Sequence, residues 1–289
     1  MGRNVLCALF LLLSMPSARA DLLGSAAAFS VLAGSTVTNT GSTIMGGSLG
    51  VWPGTAVTGF PPGIVTPPGI IDAGDAIAGT AQTDLTTAYN TLAGLPHNED
   101  LTGQDLGGLT LLPGVYFFKT SAELTGTLTL NAEGSDNALW VFEIGSTLTT
   151  ASASDVQVIN GGPGDGLFWQ VGSSATLGTG TTFEGNILAK ASITLDTSAI
   201  IPCGRALAAN GAVTMDTNVI SIACTATAGW SASQATELGG SNGLSNAANS
   251  SVSDYGPSPI PEPSALLLLG TCVAALAIQR KLGRSKAAE

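Results

Sequence analysis

Threonine recurs regularly in this 289-residue chain, inside short apolar segments. Examples are Ala175-Thr176-Leu177, Ile193-Thr194-Leu195 and Val213-Thr214-Met215. Each threonine carries a hydroxyl that donates and accepts hydrogen bonds, beside a methyl group on a stiff β-branched side chain. An array of such side chains on one surface would hold an ordered layer of water, and it needs no covalent chemistry to do so.

Side chains suited to covalent catalysis are scarce. The single histidine, His97, stands in a polar segment and is expected to be a solvated loop residue. Asp196 and Asp216 occupy equivalent places in successive segments and form the best candidate pair for a polysaccharide-degrading β-helix enzyme. A role for both as turn acceptors is the simpler interpretation. Because no Walker loop, Ser-His-Asp arrangement or metal-ligand spacing is present, the sequence predicts no enzyme, no metal and no cofactor.

The charge balance excludes nucleic acid as a partner. Between residues 21 and 260 the only basic side chains are Lys119, Lys190 and Arg205, against 18 acidic ones. A protein that binds phosphate backbones needs clustered lysine and arginine. The hydrophobic content of 44% and its patterning also disfavour a long disordered chain.

The apolar segments repeat with a period near 20 residues. Gaps of 20, 29, 18 and 20 residues separate the central apolar residues, which are Leu128, Leu148, Leu177, Leu195 and Met215. The long gap contains the glycine-rich run 161–166, which indicates an inserted turn. A fixed period of this size is typical of a solenoid, in which each coil completes its core against the next.

One segment has helical rather than strand periodicity. Apolar side chains recur every three or four residues from Ile77 to Leu92, which predicts an amphipathic helix over about residues 75–93. Asp72 or Asp75 would cap its start, and Gly94 followed by Pro96 would end it. The proline-rich residues 51–71 are expected to form a loop-rich cap at one end of the solenoid.

The N-terminus has the features of a secretory signal peptide. Arg3 is followed by an apolar run of about 11 residues and by the small-x-small site Ala18-Arg19-Ala20. We therefore assign residues 1–20 to a signal peptide. The run is too short for a membrane span, which needs roughly 20 residues.

The C-terminus carries a second sorting signal. A polar linker over residues 229–259 leads to Pro261-Glu262-Pro263, an apolar run and a basic end. Residues 260–286 resemble the PEP-CTERM signal of Gram-negative bacteria. The resemblance implies transient membrane insertion and removal by an exosortase, and hence a secreted or cell-surface protein. An ordinary C-terminal anchor with a cytoplasmic basic end is the alternative.

The four cysteines divide between these signals and the central domain. Cys7 and Cys272 lie in the two hydrophobic signals, whereas Cys203 and Cys224 remain in the mature region. An oxidising compartment makes a Cys203–Cys224 disulfide a reasonable hypothesis. Two buried thiols are the alternative.

The central region resembles a known family. The motifs that carry the resemblance occur in order along about residues 22–222, and they include Gly107-Gly108-Leu109-Thr110-Leu111-Leu112-Pro113-Gly114, Phe168-Trp169-Gln170-Val171, Phe183-Glu184-Gly185-Asn186-Ile187-Leu188-Ala189-Lys190 and Gly204-Arg205-Ala206-Leu207-Ala208. They are similar to those of the DUF3494-type microbial ice-binding proteins. The resemblance implies a mostly β fold over residues 21–228, a right-handed discontinuous β-solenoid of triangular section with one long α-helix packed alongside. It also implies adsorption to ice by a monomer.

The resemblance also indicates which threonines would contact ice. The family's ice face often carries Thr-Ala/Gly-x-Thr/Asn repeats, which this chain matches fully at 40–43 and 179–182 and partly elsewhere. The predicted ice-binding residues are Thr40, Thr43, Thr150, Thr179, Thr182, Thr197 and Thr217. A shift of one residue in strand phase would exchange inside and outside. A surface or biofilm-matrix adhesin that binds polysaccharide or cells is the alternative function.

Overall fold

The computed structural model describes residues 22–162 and 165–224. All described residues belong to one compact unit. The predicted signal peptide (1–20), linker (229–259) and sorting segment (260–286, with Pro261, Glu262 and Pro263) lie outside the described residues. Within those ranges, no helix has the length and apolar composition required to span a bilayer.

The described residues form short strands with one long helix. In chain order the elements are a 3-10 helix (Gly24–Ala28), β1 (Phe29–Ala33), β2 (Thr36–Thr40), β3 (Ile44–Met45), β4 (Ser48–Val51), β5 (Ala56–Thr58), β6 (Ile64–Val65), β7 (Ile71–Ala73), α1 (Ala76–Leu92), β8 (Glu99–Asp100), β9 (Thr110–Leu111), β10 (Gly114–Phe118), β11 (Ala122–Leu124), β12 (Thr127–Asn131), β13 (Leu139–Ile144), β14 (Leu148–Thr150), β15 (Asp155–Ile159), β16 (Gly166–Val171), β17 (Ala175–Leu177), β18 (Gly185–Ala189), β19 (Ile193–Leu195), β20 (Ile200–Ile201), β21 (Gly204–Ala208), β22 (Val213–Asp216) and β23 (Val219–Ile220).

The strands pair in parallel to form three sheets. Sheet A has the order β7-β4-β1-β21-β18-β16-β13-β10-β8, and sheet B the order β11-β14-β17-β19-β22-β2-β5. Sheet C has two parts, β15-β12-β9 and β20-β23-β3-β6. Thr182 connects them, because it forms one parallel bridge with Asp155 and another with Ile200. Along most of its length the chain visits sheets A, B and C in rotation, as the period near 20 residues predicted.

The stacking order of the coils differs from their order in the chain. Strand β1 pairs with β21, with Val31 opposite Ala206, so the first coil stacks on the last one. Strands β7 and β8, on either side of α1, lie at opposite edges of sheet A. The helix of 17 residues is about 25 Å long at 1.5 Å per residue. The helix therefore takes the chain from one edge of sheet A to the other. The coils after the helix then stack in the direction of the coils that precede it.

Apolar side chains from the three sheets fill the interior. Trp140 and Trp169 are fully buried. The ring of Phe142 stacks on that of Trp169 with centroids 4.0 Å apart and on that of Tyr116 with centroids 5.4 Å apart, and these three residues are in register. Equivalent positions in successive coils thus stack their rings along the solenoid interior, which favours the parallel register of the strands above them.

The helix prediction is confirmed to within one residue at either end. The Asp75 side chain caps the first turn by accepting a hydrogen bond from the Ala78 backbone N–H at 2.9 Å. The buried side of the helix, which includes Leu85, packs against an outer surface of sheet A that carries Leu188 and Leu207. This face of sheet A is therefore covered.

One detail of the expected repeat is wrong. The segment Thr127–Leu130 lies in sheet C, so Leu128 is not equivalent to Leu148 of sheet B; the corresponding strand of sheet B is β11. This error arises because every coil carries three strands of similar composition. The loop-rich residues 51–71 contain the short strands β5 and β6, which end sheets B and C.

Candidate functional site

Sheet B carries an unbroken row of threonines on its outer surface. The strand registers place six of them in line across adjacent strands, in the order Thr149, Thr176, Thr194, Thr214, Thr38 and Thr58. Their neighbours before and after in each strand point inward, because successive residues of a strand face opposite sides. We refer to these six residues as the threonine row.

The hydroxyl groups of the threonine row are available to solvent. Four members are exposed, while Thr176 and Thr194 are half-buried. Within residues 22–162 and 165–224, no protein group hydrogen-bonds the hydroxyls of the first five members, and Thr58 has only a long 3.5 Å contact to the Val37 carbonyl oxygen. Their hydrogen-bonding capacity is therefore left to water.

Small side chains border the threonine row on one side, so no large side chain projects beside the row there. These residues lie two positions earlier in each coil, and they are Ser121, Thr147, Ser174, Ser192, Ala212, Thr36 and Ala56. Several of their hydroxyls are already used: Ser192 Oγ accepts from the Ala212 backbone N–H at 3.2 Å, and Thr147 Oγ1 donates to Ser121 Oγ at 2.8 Å. This bordering row is thus compact and internally bonded, unlike the threonine row.

Four of the threonines predicted from sequence border the same sheet on the other side. Thr40, Thr179, Thr197 and Thr217 are exposed where the chain turns from sheet B to sheet C. Two of their hydroxyls are committed, because Thr197 Oγ1 and Thr217 Oγ1 both donate to the carboxylate of Asp216. We refer to the four as the corner threonines.

The corner imposes an unusual backbone conformation. Thr217 has a φ of 56°, in the left-handed region that a β-branched residue rarely adopts. Gly41, the equivalent residue one coil away, has a φ of 78°, and a Cβ there would stand 2.3 Å from Thr217 Oγ1. The Thr-Gly-x-Thr pattern at 40–43 thus meets a backbone requirement of the turn.

The remaining three predicted threonines do not lie on the outer surface of sheet B. Thr43 is fully buried and Thr150 is 3% exposed, which takes both out of the predicted contact set. Thr43 Oγ1 accepts from the Asn218 backbone N–H at 3.0 Å, and Thr150 Oγ1 lies 2.8 Å from Thr181 Oγ1, so these hydroxyls hold the corner together. Thr182 is half-buried and bridges the two parts of sheet C.

The threonine row has a signal in the sequence that the family motif obscured. In Ile193-Thr194-Leu195 and its equivalents, the flanking apolar residues point into the core, so the central threonine must point outward. The Thr-Ala/Gly-x-Thr pattern instead directs attention to the corner, where Thr43 turns inward and Thr182 belongs to sheet C.

The outer surface of sheet C differs in chemistry from that of sheet B. Its central row runs Ile64, Ile44, Val219 and Ile200 in register, and the first three are 54%, 44% and 44% exposed. Beyond Ile200 the row continues through Thr182 to Asp155. Since helix α1 covers sheet A, sheet B presents the longest in-register row of a single polar residue type among the described sheets.

The candidate catalytic groups take part in contacts of the turns and loops. The Asp216 carboxylate accepts hydrogen bonds from two threonine hydroxyls, as a turn acceptor does. His97 is exposed and stacks its ring on Phe117, with centroids 4.8 Å apart.

Cys203 and Cys224 are joined by a disulfide bond in the structure. Their Cα atoms lie 4.6 Å apart, and both side chains are fully buried. The bond encloses the last coil, which contains β21, β22 and β23.

Comparison with known proteins identifies the family. A family model described as Ice-binding-like matches residues 31–221, the part of the chain that holds all three sheets. The chain belongs to this family. A second model, the PEP-CTERM protein-sorting motif, matches residues 259–281, in agreement with the predicted C-terminal signal.

Individual relatives show the same family. The chain is 61% identical to an ice-binding protein of Nostoc sp. over 208 residues, which cover 72% of this chain and 76% of the relative. It is 34% identical to ice-binding protein 1 of Shewanella frigidimarina, covering 68% of this chain but only 25% of that longer protein. The crystal structure of an ice-binding protein from Antarctomyces psychrotrophicus matches with 40% identity and a TM-score of 0.66, covering 69% of this chain and 96% of that structure.

Proposed function

We propose that this protein binds ice through the outer surface of sheet B, and that it slows ice growth or recrystallisation there. The observation that carries the proposal is the in-register threonine row, in which five of the six hydroxyls have no protein partner among the described residues. The Nostoc relative, which is named an ice-binding protein, supports the same conclusion. No cofactor or catalytic step is required.

The spacing of the row suits a repeating solid surface. Neighbouring parallel strands lie about 4.8 Å apart, so the threonine row repeats its hydroxyl and methyl groups at that interval. The β-branched side chains are restricted in χ1, so they lose little entropy when water orders against them. Six weak contacts made together can hold a crystal surface where one would fail against bulk water.

The corner threonines form the margin of the proposed contact surface. Thr40 is the last residue of β2 and stands next to Asp216 in the register. Thr43, Thr150 and Thr182 are not part of it, since two are buried and the third belongs to sheet C.

We infer that the coils form a right-handed solenoid of triangular section. The rotation of the chain through three parallel sheets and the covering of one sheet by α1 support this arrangement. Such a section leaves sheet B flat and free along its length, and the protein would act as a monomer.

The sorting motif supports an extracellular location. We propose that residues 1–20 are removed on secretion, and that residues 260–286 enter the membrane transiently before an exosortase-type enzyme acts at the matched motif. Residues 229–259 would then link the ice-binding unit to the cell surface or remain with the released protein. No observation favours polysaccharide binding over ice binding at sheet B.

The proposal predicts that a bulky side chain in the threonine row abolishes ice binding. Thr214→Tyr projects a ring from the middle of the row and prevents flat contact, so thermal hysteresis should fall by about tenfold while the melting temperature of the protein changes little. The measurement is ice-crystal growth and hysteresis of purified residues 21–258 under a microscope.

A matched control distinguishes sheet B from sheet C, the two sheets that helix α1 does not cover. Val219→Tyr places the same ring at an exposed position of sheet C, where it should leave hysteresis unchanged. Unaltered round ice discs with the wild-type protein, together with retention on glycan, would instead support the adhesin. Equal losses in both variants would contradict the choice of sheet B.

A further inference from the structure

The outward row of sheet B continues past its threonines into acidic residues. Glu123 lies in register with Thr149, and Asp105 forms a parallel bridge with Glu123 on the next coil. At the opposite end, Thr58 stands on the last strand of the sheet, β5. The row therefore consists of six threonines followed by two carboxylates.

The two carboxylates are used differently by the fold. Asp105 Oδ1 accepts hydrogen bonds from the backbone N–H groups of Gly107 at 2.7 Å and Thr125 at 2.9 Å, which fixes a turn. The Glu123 side chain is exposed, and among the described residues it has no hydrogen-bond or ion-pair partner. The turn thus explains the presence of a carboxylate at Asp105, whereas no contact of the described residues explains one at Glu123.

We infer that Glu123 ends the ice-contact row and sets its length at six coils. This inference depends on the proposed function of sheet B. An ionised carboxylate is strongly hydrated, and removing it from liquid water without a partner is costly. A glutamate is also longer than threonine, so its charged end stands above the level of the row and keeps its own water.

The position of Glu123 has a second physical explanation. Strand β11 is the terminal strand of sheet B, and charged side chains on edge strands prevent association with another chain. The two explanations predict different consequences when the charge is replaced. A row boundary controls ice activity, whereas edge protection controls self-association.

The test first replaces Glu123 and then introduces a glutamate one coil further into the threonine row. Glu123→Thr extends the row to seven coils and should raise thermal hysteresis, at equal concentration, by about a sixth or more, in proportion to contact length. Glu123→Lys keeps a charge at the boundary and should match the wild-type protein. Thr149→Glu moves the boundary one coil inward and should lower hysteresis by about as much.

The variants are compared as purified full-length chains, with circular dichroism to verify folding and analytical ultracentrifugation to measure association. Higher hysteresis for Glu123→Thr with a monomeric protein supports the inference. Wild-type hysteresis for both Glu123→Thr and Thr149→Glu overturns it, as does association of Glu123→Thr without a gain in hysteresis. In each case Thr214→Tyr in the same assay reports separately on the proposed ice-contact surface.

Discussion

At the scale of the residue, the threonine row uses two groups on one rigid side chain. A hydroxyl exchanges one hydrogen bond with water for another and gains little net free energy, about 0.5–1.5 kcal/mol. The adjacent methyl contributes about 0.8 kcal/mol per apolar carbon removed from water, and branching fixes its position. Neither group alone combines ordered contact with low entropic loss, which explains why the row contains threonine rather than serine or valine.

Substitutions at Thr214 separate these two contributions. Thr214→Ser removes the methyl and frees χ1, whereas Thr214→Val keeps the shape and removes the hydroxyl. We expect both variants to lose hysteresis, and the serine variant to lose more, because the net hydrogen-bond gain is small and the rigid methyl is absent. Hysteresis measured at equal concentration tests this order. A fully active serine variant beside an inactive valine variant would show that the hydroxyl dominates.

At the scale of the element, some features were accessible from the sequence and others were not. The helix from Ala76 to Leu92 was predicted within one residue at either end, because its period and its Asp75 cap are local signals. It was harder to assign each threonine to the inner or outer side of its sheet. In a strand of three residues, only the apolar residues on either side of the threonine indicate which side it faces. At Thr150 the family motif predicted an exposed side chain, whereas the strand phase places it on the inner side. The side chain is buried, in agreement with the strand phase.

Strand β13 contains a buried acid. Glu143 lies on β13 and is 6% exposed, and its Oε1 has no hydrogen-bond partner among the described residues. Burial raises the pKa of its carboxyl group, although the charge of His97 and the Leu95 backbone N–H oppose that shift. Because the folded state holds the proton more tightly than the unfolded state, this group lowers stability as the pH rises from the ordinary glutamate value through the raised pKa.

Glu143→Gln removes the charge and should stabilise the protein at pH 7. We expect a gain of about 1 kcal/mol, which corresponds to a rise in Tm of about 2–4 °C. The gain should disappear near pH 4, where the wild-type carboxyl is protonated. Thermal unfolding at the two pH values measures it, and Glu133→Gln, at an exposed turn, controls for the change in net charge. An equal gain at both pH values would contradict the assignment.

At the scale of the whole molecule, the last coil joins two stacks. Strand β21 pairs with β1 on one side and with β18 on the other, so residues distant in the chain become neighbours. The hydrophobic period indicates that coils exist but carries no information on which coil follows which in space. This joint also keeps the threonine row continuous, since Thr214 on the last coil lies between Thr194 and Thr38.

The Cys203–Cys224 disulfide closes this joining coil, with a sequence separation of 21 residues. A loop of this length contributes roughly 3 kcal/mol by restricting the unfolded chain, so replacing both cysteines by alanine should lower Tm by roughly 6–10 °C. Alkylation without reductant, followed by mass spectrometry, should leave the wild-type pair unmodified. The variant should unfold in a single calorimetric transition, because the two stacks share strands of all three sheets through the last coil and lose them together. Two separated transitions would mean that each stack is stable alone, and the continuity of the threonine row would then depend on the disulfide rather than on strand pairing.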